Sequence, residues 1–433
     1  MKKIFVSAIL GILCLSILLG FAPMVKSQSS TDWSQYHGDS GHSGYTTDNG
    51  PTTNNTVWRF SLLPYGKIEG YSAAIANGLV YFASVDGNLT CVNAATGASV
   101  WNYSTNSFEE SSPAVANGLV YFDCEDGNLY CLNAQTGALV WIINSTNTAL
   151  SIGDAPLAVS NGSVYFSDTW TNGVSGQTYA NITCANAATG ALVWGYGVPF
   201  SISDYETAPT VANGYVYFTD GVGNFVCVNA TDGAFIWSNP TGGYDTASVA
   251  NGYVYYSPYG GEFCCVNAQT GASVWNYTTK GTNYAVPAIA NGNVYFGSDD
   301  GNFYCLNAQT GAKVWNYSVY SPYGGTYVFT GSVSGNGYVY FGDNSNYIYC
   351  LNAQTGTLVW QYQTGGSVDS LPAIANGILY FGSWDGYMYA FGTTTQVPEF
   401  PEPLIPAIFI LVTLLTIAIY EKRRNHSNRQ FFA

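Results

Sequence analysis

Short apolar runs separated by polar turn residues recur along most of the chain. Within residues 116–141, apolar runs alternate with turns at Asn117-Gly118, Asp126-Gly127 and Thr136-Gly137. Runs of this kind, bounded by residues that accept positive φ, are typical of antiparallel strands joined by tight turns. The pattern therefore predicts a meander of short strands in this stretch.

The same pattern is repeated eight times. An Asn-Gly pair followed by an apolar-aromatic run marks each unit, at Asn77, Asn117, Asn161, Asn213, Asn251, Asn291, Asn336 and Asn376. A period of roughly forty residues with four strands per unit is the signature of a β-propeller, in which each unit forms one blade. We predict an all-β fold, an eight-bladed β-propeller of four-stranded antiparallel blades, over residues 54–392.

A tryptophan follows the Thr-Gly or Asp-Gly turn of most units, at Trp101, Trp141, Trp194, Trp237, Trp275, Trp315 and Trp360. The last unit lacks one, whereas Trp58 lies in a strand-like run that has no unit before it. We expect the Trp58 strand to be the outer strand of the eighth blade, so that the ring closes without open edges. The alternative is an open solenoid, which needs polar end caps that the sequence does not display.

Both ends of the chain carry apolar segments outside the repeats. Residues 1–27 have the charged, apolar and small-residue regions of a secretory signal peptide, with an uncleaved anchor as the alternative. An N-terminal segment, residues 28–53, leads into the propeller. After it come a Pro-rich linker at 393–403, an apolar run at 404–420 and a basic tail at 421–433. We expect a single transmembrane helix at 404–420, a cytoplasmic tail, and a propeller held outside the cell membrane.

The C-terminal tail begins Val397-Pro-Glu-Phe-Pro401 and resembles the anchors or sorting signals of archaeal surface proteins, some of which are cleaved. An exported glycoprotein is also consistent with nine Asn-x-Ser/Thr sequons ahead of residue 404. An Asn- and Thr-rich chain would contain several by chance. The sequons are at Asn54, Asn88, Asn102, Asn144, Asn161, Asn181, Asn229, Asn276 and Asn316.

Ten cysteines in an exported chain suggest disulfides, but their spacing argues otherwise. Seven occupy the same position in the third strand of successive units. Equivalent positions in neighbouring blades are farther apart than the ~7 Å Cα separation that a disulfide tolerates. We interpret them as small buried apolar residues, with a vicinal bridge between Cys264 and Cys265 as the alternative.

The repeat resembles that of the pyrroloquinoline quinone (PQQ) family of propellers. The family pattern Leu-Tyr-Ala-Leu-Asp-Ala-x-Thr-Gly-x-x-x-Trp is matched by residues 129–141, and Asp32 to Asp39 resemble the Trp-x-Gln-(Phe/Tyr) segment that precedes such propellers. The resemblance implies that the eight repeat tryptophans, Trp58 included, are structural and pack between blades. The family contains quinoprotein dehydrogenases, which bind PQQ and Ca²⁺ over the channel, and non-enzymatic scaffolds of outer-membrane assembly.

The chemistry of the residues favours the scaffold group. The histidines, His37, His42 and His426, fall outside the repeats, which argues against hydrolase triads and zinc sites in the blades. From Trp58 to Gly392 there are twenty Asp or Glu against four Lys or Arg, a net charge of −16. PQQ carries three carboxylates and needs cationic partners, so we expect neither PQQ nor a catalytic residue.

The acidic residues are one-sided. In a meander, the turns between second and third strands share one face with the links between blades, and nineteen of the twenty carboxylates belong to that face, the exception being Asp232. We call it the acidic face, and the face of the Asn-Gly and Thr-Gly turns the neutral face. A negative field attracts cations or a basic partner and excludes nucleic acid. Asp299, Asp300, Glu125 and Asp126 are the densest candidates for Ca²⁺ or Mg²⁺, although such residues also simply favour turns.

The same face is rich in aromatic residues that suit recognition of a glycan or a peptide. The candidates are Trp170, Trp384, Tyr205, Tyr244, Tyr284 and Tyr323. Blade three has the longest turn, at residues 168–176, and long loops on rigid scaffolds often bind ligands. We expect a cell-surface binding or scaffold propeller that contacts a surface protein or glycan. The alternatives are a PQQ-dependent dehydrogenase and a purely structural envelope protein.

Overall fold

The computed structural model describes residues 32–392 apart from 63–67, 69–71, 106, 108–110, 145–149, 153–154, 172–177, 200–207, 221, 241–245, 259, 284–285 and 320–326. Within this part of the chain, strands β1 to β33 form eight antiparallel sheets. Each sheet corresponds to one repeat unit of the sequence. The prediction of an eight-bladed propeller is therefore confirmed.

Except in blades 3 and 8, each blade runs from an innermost strand to an outer one in chain order. Blade 1 contains β2 (Ala74–Ala76), β3 (Leu79–Ser84), β4 (Asn88–Asn93) and β5 (Ser99–Ser104); blade 2 contains β6 (Ala114–Ala116), β7 (Leu119–Cys124), β8 (Asn128–Asn133) and β9 (Leu139–Ile143). Blade 3 contains β10 (Leu150–Ile152), β11 (Ala158–Ser160), β12 (Ser163–Thr171), β13 (Thr178–Asn186) and β14 (Leu192–Pro199). Blade 4 contains β15 (Thr210–Ala212), β16 (Tyr215–Thr219), β17 (Asn224–Asn229) and β18 (Phe235–Pro240).

The second half of the ring repeats the arrangement. Blade 5 contains β19 (Ser248–Ala250), β20 (Tyr253–Tyr256), β21 (Glu262–Asn267) and β22 (Ser273–Thr278); blade 6 contains β23 (Ala288–Ala290), β24 (Asn293–Ser298), β25 (Asn302–Asn307) and β26 (Lys313–Ser318). Blade 7 contains β27 (Val328–Val333), β28 (Tyr338–Asp343), β29 (Tyr347–Asn352) and β30 (Leu358–Gln363). Blade 8 contains β31 (Ala373–Ala375), β32 (Ile378–Ser383), β33 (Tyr387–Gly392) and, as its outer strand, β1 (Thr56–Ser61).

Ring closure follows the expectation from Trp58. Strand β1 pairs antiparallel with β33, with Trp58 opposite Ala390, so the first strand of the chain completes the last blade. The Trp58 indole then donates to the carbonyl of Ala94 in blade 1, at 2.8 Å. Ring closure therefore joins both ends of the repeat array.

The repeat tryptophans link neighbouring blades, as the family resemblance implies. The indole of Trp141, for example, donates to Ala187 O of the next blade at 3.1 Å and packs against Tyr121. A Cβ at Gly190, where φ is +70°, would lie 2.9 Å from this indole, so the turn needs glycine for close approach as well as for its backbone. At the last junction the turn is replaced by Pro51, whose carbonyl accepts from Trp360 at 3.3 Å.

Blade 3 differs from the prediction of four strands and of a long turn beginning at residue 168. Residues 168–171 continue β12, which pairs with β13 along its length, and β10 adds a fifth strand beside this extension. The described part of this segment, residues 168–171, is thus an extension of the hairpin. Extending a hairpin satisfies backbone groups that an irregular loop would leave to solvent.

The N-terminal segment lies in the central channel of the propeller. Among the described residues, seven blades each donate one backbone N–H of the innermost strand to it. These bonds run from Ile75 to Trp33 O (2.6 Å), Val115 to Ser34 O (2.6 Å), Val159 to Gln35 Oε1 (2.8 Å), Val211 to Ser40 O (2.6 Å), Val249 to Gly41 O (2.8 Å), Ile289 to Ser43 O (2.8 Å) and Val333 to Gly44 O (2.8 Å). In the eighth blade, Asn376 N donates to the Asp48 carboxylate. The segment therefore acts as a hub that contacts every blade.

This hub corrects the interpretation of two histidines. His37 and His42 were expected outside the propeller body, yet both are fully buried in the channel. The expectation was wrong because the residues precede the repeats in sequence but fold back into their centre. His426 lies outside the described residues.

The cysteines follow the sequence interpretation. The nine in the described region are free, including Cys264 and Cys265, and all but Cys264 are buried. Burial raises the pKa of Cys131 and of most others to about 12, so these thiols are inert apolar residues.

No helix in the described part is long and apolar enough to cross a bilayer. The signal peptide, linker, transmembrane and tail predictions concern residues outside that part.

Candidate binding face

The turns of the acidic face hold their aspartates in a recurring arrangement. In blade 2, Asp126 accepts Asn128 N at 3.0 Å through one carboxylate oxygen and the Tyr130 hydroxyl at 2.5 Å through the other. Asp300 with Tyr304, and Asp385 with Tyr389, repeat this bond at 2.7 Å. Each aspartate thus closes its turn and fixes a tyrosine of the third strand, because an Asx side chain mimics a backbone acceptor.

The cation candidates differ in how their oxygens are used. Both carboxylate oxygens of Asp126 and of Asp300 accept hydrogen bonds from protein groups. Glu125 is exposed, and Asp299 is half-buried. Burial, followed by the charge of Asp300, raises the pKa of Asp299 to about 6. Within the described residues, no group of three or more His, Cys, Asp or Glu side chains gathers as a metal site would require. Ca²⁺ at these positions stays a prediction.

The aromatic candidates are only partly described. Trp384, in the turn of blade 8, is 43% exposed. Trp170 is in strand β12, opposite Leu150 and Tyr179. The other four candidates, Tyr205, Tyr244, Tyr284 and Tyr323, lie outside the described residues.

A buried carboxylate marks the extended hairpin of blade 3. Asp168 is 1% exposed, and one of its oxygens accepts Asn181 Nδ2 at 2.8 Å. Burial raises its pKa to about 6, against the opposing effect of hydrogen bonds from Thr183 and Asn181. The extended hairpin of blade 3 thus contains a buried carboxyl group whose pKa lies above its usual range.

The hub closes the channel beneath this face. Tyr36 packs against Ala208, Val286 and Leu371, three residues that each precede an innermost strand and lie at its acidic-face end. The other end of the hub reaches the neutral face, where Gly50 exchanges hydrogen bonds of 3.0 Å with the side chain of Asn336. The centre of the acidic face therefore has protein as its floor.

Two histidines form the polar part of the hub. His37 Nδ1 is 2.8 Å from His42 O, and His37 Nε2 is 3.2 Å from Gly331 O. His42 Nδ1 is 3.1 Å from Thr210 Oγ1, which donates to Ala247 O at 2.7 Å. Burial lowers the pKa of both rings, that of His42 to about 3. Both histidines are therefore neutral structural residues at physiological pH.

Sequence reasoning missed the hub because its segment has neither strand alternation nor a repeat partner. The available signal was composition: Trp33, Tyr36, His37 and His42 concentrate rings and imidazoles in a short stretch. Buried polar side chains need partners, so such a stretch is more consistent with a packed element than with a linker.

The model of the family described as outer membrane protein assembly factor BamB matches residues 44–277, 246–330 and 324–397. The chain belongs to this family. No curated protein sequence matches this BamB-family propeller.

Solved structures share the fold of this BamB-family propeller at low sequence identity. BamB from Moraxella catarrhalis has a TM-score of 0.63 and 19% identity, covering 78% of this chain and 99% of its own. Quinohemoprotein alcohol dehydrogenase from Comamonas testosteroni has a TM-score of 0.69 and 14% identity, covering 84% of this chain and 80% of its own. A europium-containing methanol dehydrogenase has a TM-score of 0.69 and 13% identity, with coverages of 84% and 98%. At these identities the likeness concerns the fold alone.

Proposed function

We propose that the protein is a binding or scaffold propeller at the cell surface, and that it contacts a partner protein or glycan through its acidic, tyrosine-rich face. The observation that carries the proposal is the difference in charge between the acidic face and the neutral face. Glu125 and Asp299 project from the turns of one face, whereas Asp232 is the acidic residue of the opposite turns. A fixed field of one sign favours a partner with basic or hydrogen-bond-donating groups.

The residues of this face do not fit PQQ. Three carboxylates would need several cationic donors. Among the described residues, the cations nearest this face are Lys280, in an exposed link, and Arg59, which lies over the ring of Tyr387 at 4.8 Å. The hub adds an aromatic floor with neutral histidines rather than a charged pocket. These features support a binding role over a redox role.

The test uses the full chain in detergent micelles, screened on a glycan array and on an array of basic peptides. A double variant, Glu125→Gln with Asp299→Asn, removes two charges of the acidic face, and Asp232→Asn removes one from the neutral face. We expect a ligand whose affinity falls at least tenfold in the double variant and is unchanged in the control. Absence of any ligand, or an equal loss in both variants, would overturn the proposal.

A second experiment addresses the redox alternative directly. PQQ is titrated into the full chain by calorimetry, first with Ca²⁺ and then with a chelator. We expect no heat of binding in either buffer. Micromolar binding that depends on Ca²⁺ would replace the scaffold proposal with a quinoprotein one.

A further inference from the structure

Four blades contain the same set of three aromatic rings at the junction with the preceding blade. In blade 2, Phe122 stacks on Tyr130 with centroids 5.0 Å apart and planes at 6°, and Tyr103 of blade 1 meets Tyr130 edge-on at 5.8 Å. Blades 6, 7 and 8 repeat the stack with Phe296 and Tyr304, Phe341 and Tyr349, and Phe381 and Tyr389. The central ring is always a tyrosine of the third strand, and its hydroxyl always donates to an aspartate.

Blade 1 keeps two of these rings and lacks the third. Phe82 corresponds to Phe122, and Phe60 of strand β1 corresponds to Tyr103; their centroids are 5.8 Å apart at 67°, as the equivalent pair is 6.1 Å apart at 67°. The position of Tyr130 is taken by Thr90, which has no ring. The turn aspartate is nevertheless retained as Asp86.

The missing ring leaves space. A cleft of about 200 Å³ opens between strands β1 and β5, lined by Phe60, Asp86, Asn88, Thr90 and Asn102. One carboxylate oxygen of Asp86 accepts the Ser84 hydroxyl at 2.5 Å, and among the described residues no other donates to this carboxylate; Asn88 Nδ2 donates to the Asp86 backbone carbonyl at 3.5 Å. In blade 2 the second oxygen is the one that binds the tyrosine hydroxyl.

We propose that this cleft binds the side chain of a tyrosine from a partner protein. The phenol ring packs against Phe60 and donates its hydroxyl to Asp86, as Tyr130 does with Tyr103 and Asp126. Phe82, the counterpart of Phe122, is 1% exposed and does not line the cleft. An edge-on ring pair and a charge-assisted hydrogen bond supply the attraction. The complete blades thus indicate the chemistry of the occupant. The identity of the source as a partner protein rests on the proposed function.

The probe is p-cresol, which is the tyrosine side chain alone. It is titrated by NMR into the full chain made in a host without N-glycosylation, since Thr90 also completes the sequon of Asn88. We expect one site with a Kd on the order of 1 mM, as befits so small a ligand. Toluene, which lacks the hydroxyl, should bind at least fivefold more weakly, and this difference should vanish in Asp86→Asn.

Two reciprocal variants locate the site. Thr90→Tyr restores the third ring and should abolish p-cresol binding. Tyr130→Thr removes the ring from blade 2 and should add a second site, which keeps the test decisive if the first variant folds poorly. The proposal would be overturned by unchanged binding in Thr90→Tyr or by the absence of a new site in Tyr130→Thr. It would also be overturned if the wild type does not bind p-cresol, or if glucose or galactose displaces it.

The outcome is distinguishable from that of the proposed function. Binding of p-cresol depends on Thr90 and Asp86, whereas the proposed acidic-face contact depends on Glu125 and Asp299. If p-cresol binds as expected and the array screen finds no ligand, the cleft stands and the wider function fails. N-acetyltyrosinamide should bind at least as tightly as p-cresol; if it is excluded, the cleft does not admit a protein tyrosine and this proposal is wrong.

Discussion

In blade 2, hydrogen bonds join strands that neighbour each other in sequence, whereas in the channel they join residue 33 to residue 75 and residue 44 to residue 333. The blades gain stability from apolar side chains at regular intervals. The hub gains stability from hydrogen bonds of backbone groups and of two imidazoles, none of which belongs to the sequence repeat. The ring is thus held mainly by contacts between residues close in sequence, and its centre by contacts between residues far apart in sequence.

The difference explains what the sequence could predict. Blade number, ring closure through Trp58 and the inter-blade tryptophans follow from spacing, because each repeat imposes the same hairpins. The place of His37 and His42 could not be deduced, since nothing local distinguishes a packed irregular segment from a linker. The cleft beside Thr90 was also missed, because the absence of a ring there is noticed only when Tyr130, Tyr304 and Tyr389 are seen to share one hydrogen bond to an aspartate.

The largest expected effect comes from removing the hub. Deleting residues 32–50 in the full chain removes seven strand contacts, each contributing about 0.5–1.5 kcal/mol, together with the buried rings of the channel. This approaches the whole stability of a typical domain, about 5–15 kcal/mol. We expect loss of cooperative thermal unfolding in circular dichroism. A variant that unfolds cooperatively within a few degrees of wild type would mean that the blades alone hold the ring.

The next effect tests the blades. Trp141→Ala leaves a cavity between blades 2 and 3 and should reduce the free energy of unfolding by about 3–5 kcal/mol. Trp384→Ala, at an exposed turn, should change it by less than about 0.5 kcal/mol. Urea denaturation measures both. Similar losses in the two variants would contradict the structural role of the repeat tryptophan.

A matched pair of glycines separates channel packing from backbone strain. Gly44 (φ +62°) and Gly118 (φ +76°) both have positive φ, but a Cβ at Gly44 would contact the His37 ring and lie 2.8 Å from Ala288 Cβ, whereas one at Gly118 meets no described atom within 4 Å. Gly118→Ala should cost about 1 kcal/mol from strain alone. Gly44→Ala should cost about 2–4 kcal/mol, because overpacking is added. If both variants lose the same free energy of unfolding in urea denaturation, the close packing of the hub around Gly44 is contradicted.

The smallest effect concerns pH. The folded-state pKa of His42 is about 3, against 6.5 for an exposed histidine. The unfolded chain therefore binds more protons below pH 6.5, and the stability from this group is lost as pH falls. The raised pKa values of Asp168 and Asp299 act in the opposite direction. A comparison with His42→Gln isolates the histidine. We expect the stability of wild type relative to this variant to fall by about 2 kcal/mol between pH 7.5 and pH 5.

For that comparison, the groups that face the two rings are few. The Asp39 carboxylate raises the pKa of His37. His37 lowers the pKa of His42, whereas a backbone hydrogen bond with Ala247 raises it. Thr210 and Tyr36 also contact His42. Asp39→Asn should therefore leave the slope attributed to His42 unchanged. A flat difference between wild type and His42→Gln across this range would show that His42 is not buried.

Hydrogen–deuterium exchange tests the hub most directly. The amides of Ile75, Val115 and Val211 face the channel and donate to Trp33, Ser34 and Ser40. The account predicts that they exchange as slowly as amides of strand β8, at the heart of blade 2. Exchange as fast as that of the exposed Asn-Gly turns would contradict it, since these amides would then face water rather than the N-terminal segment.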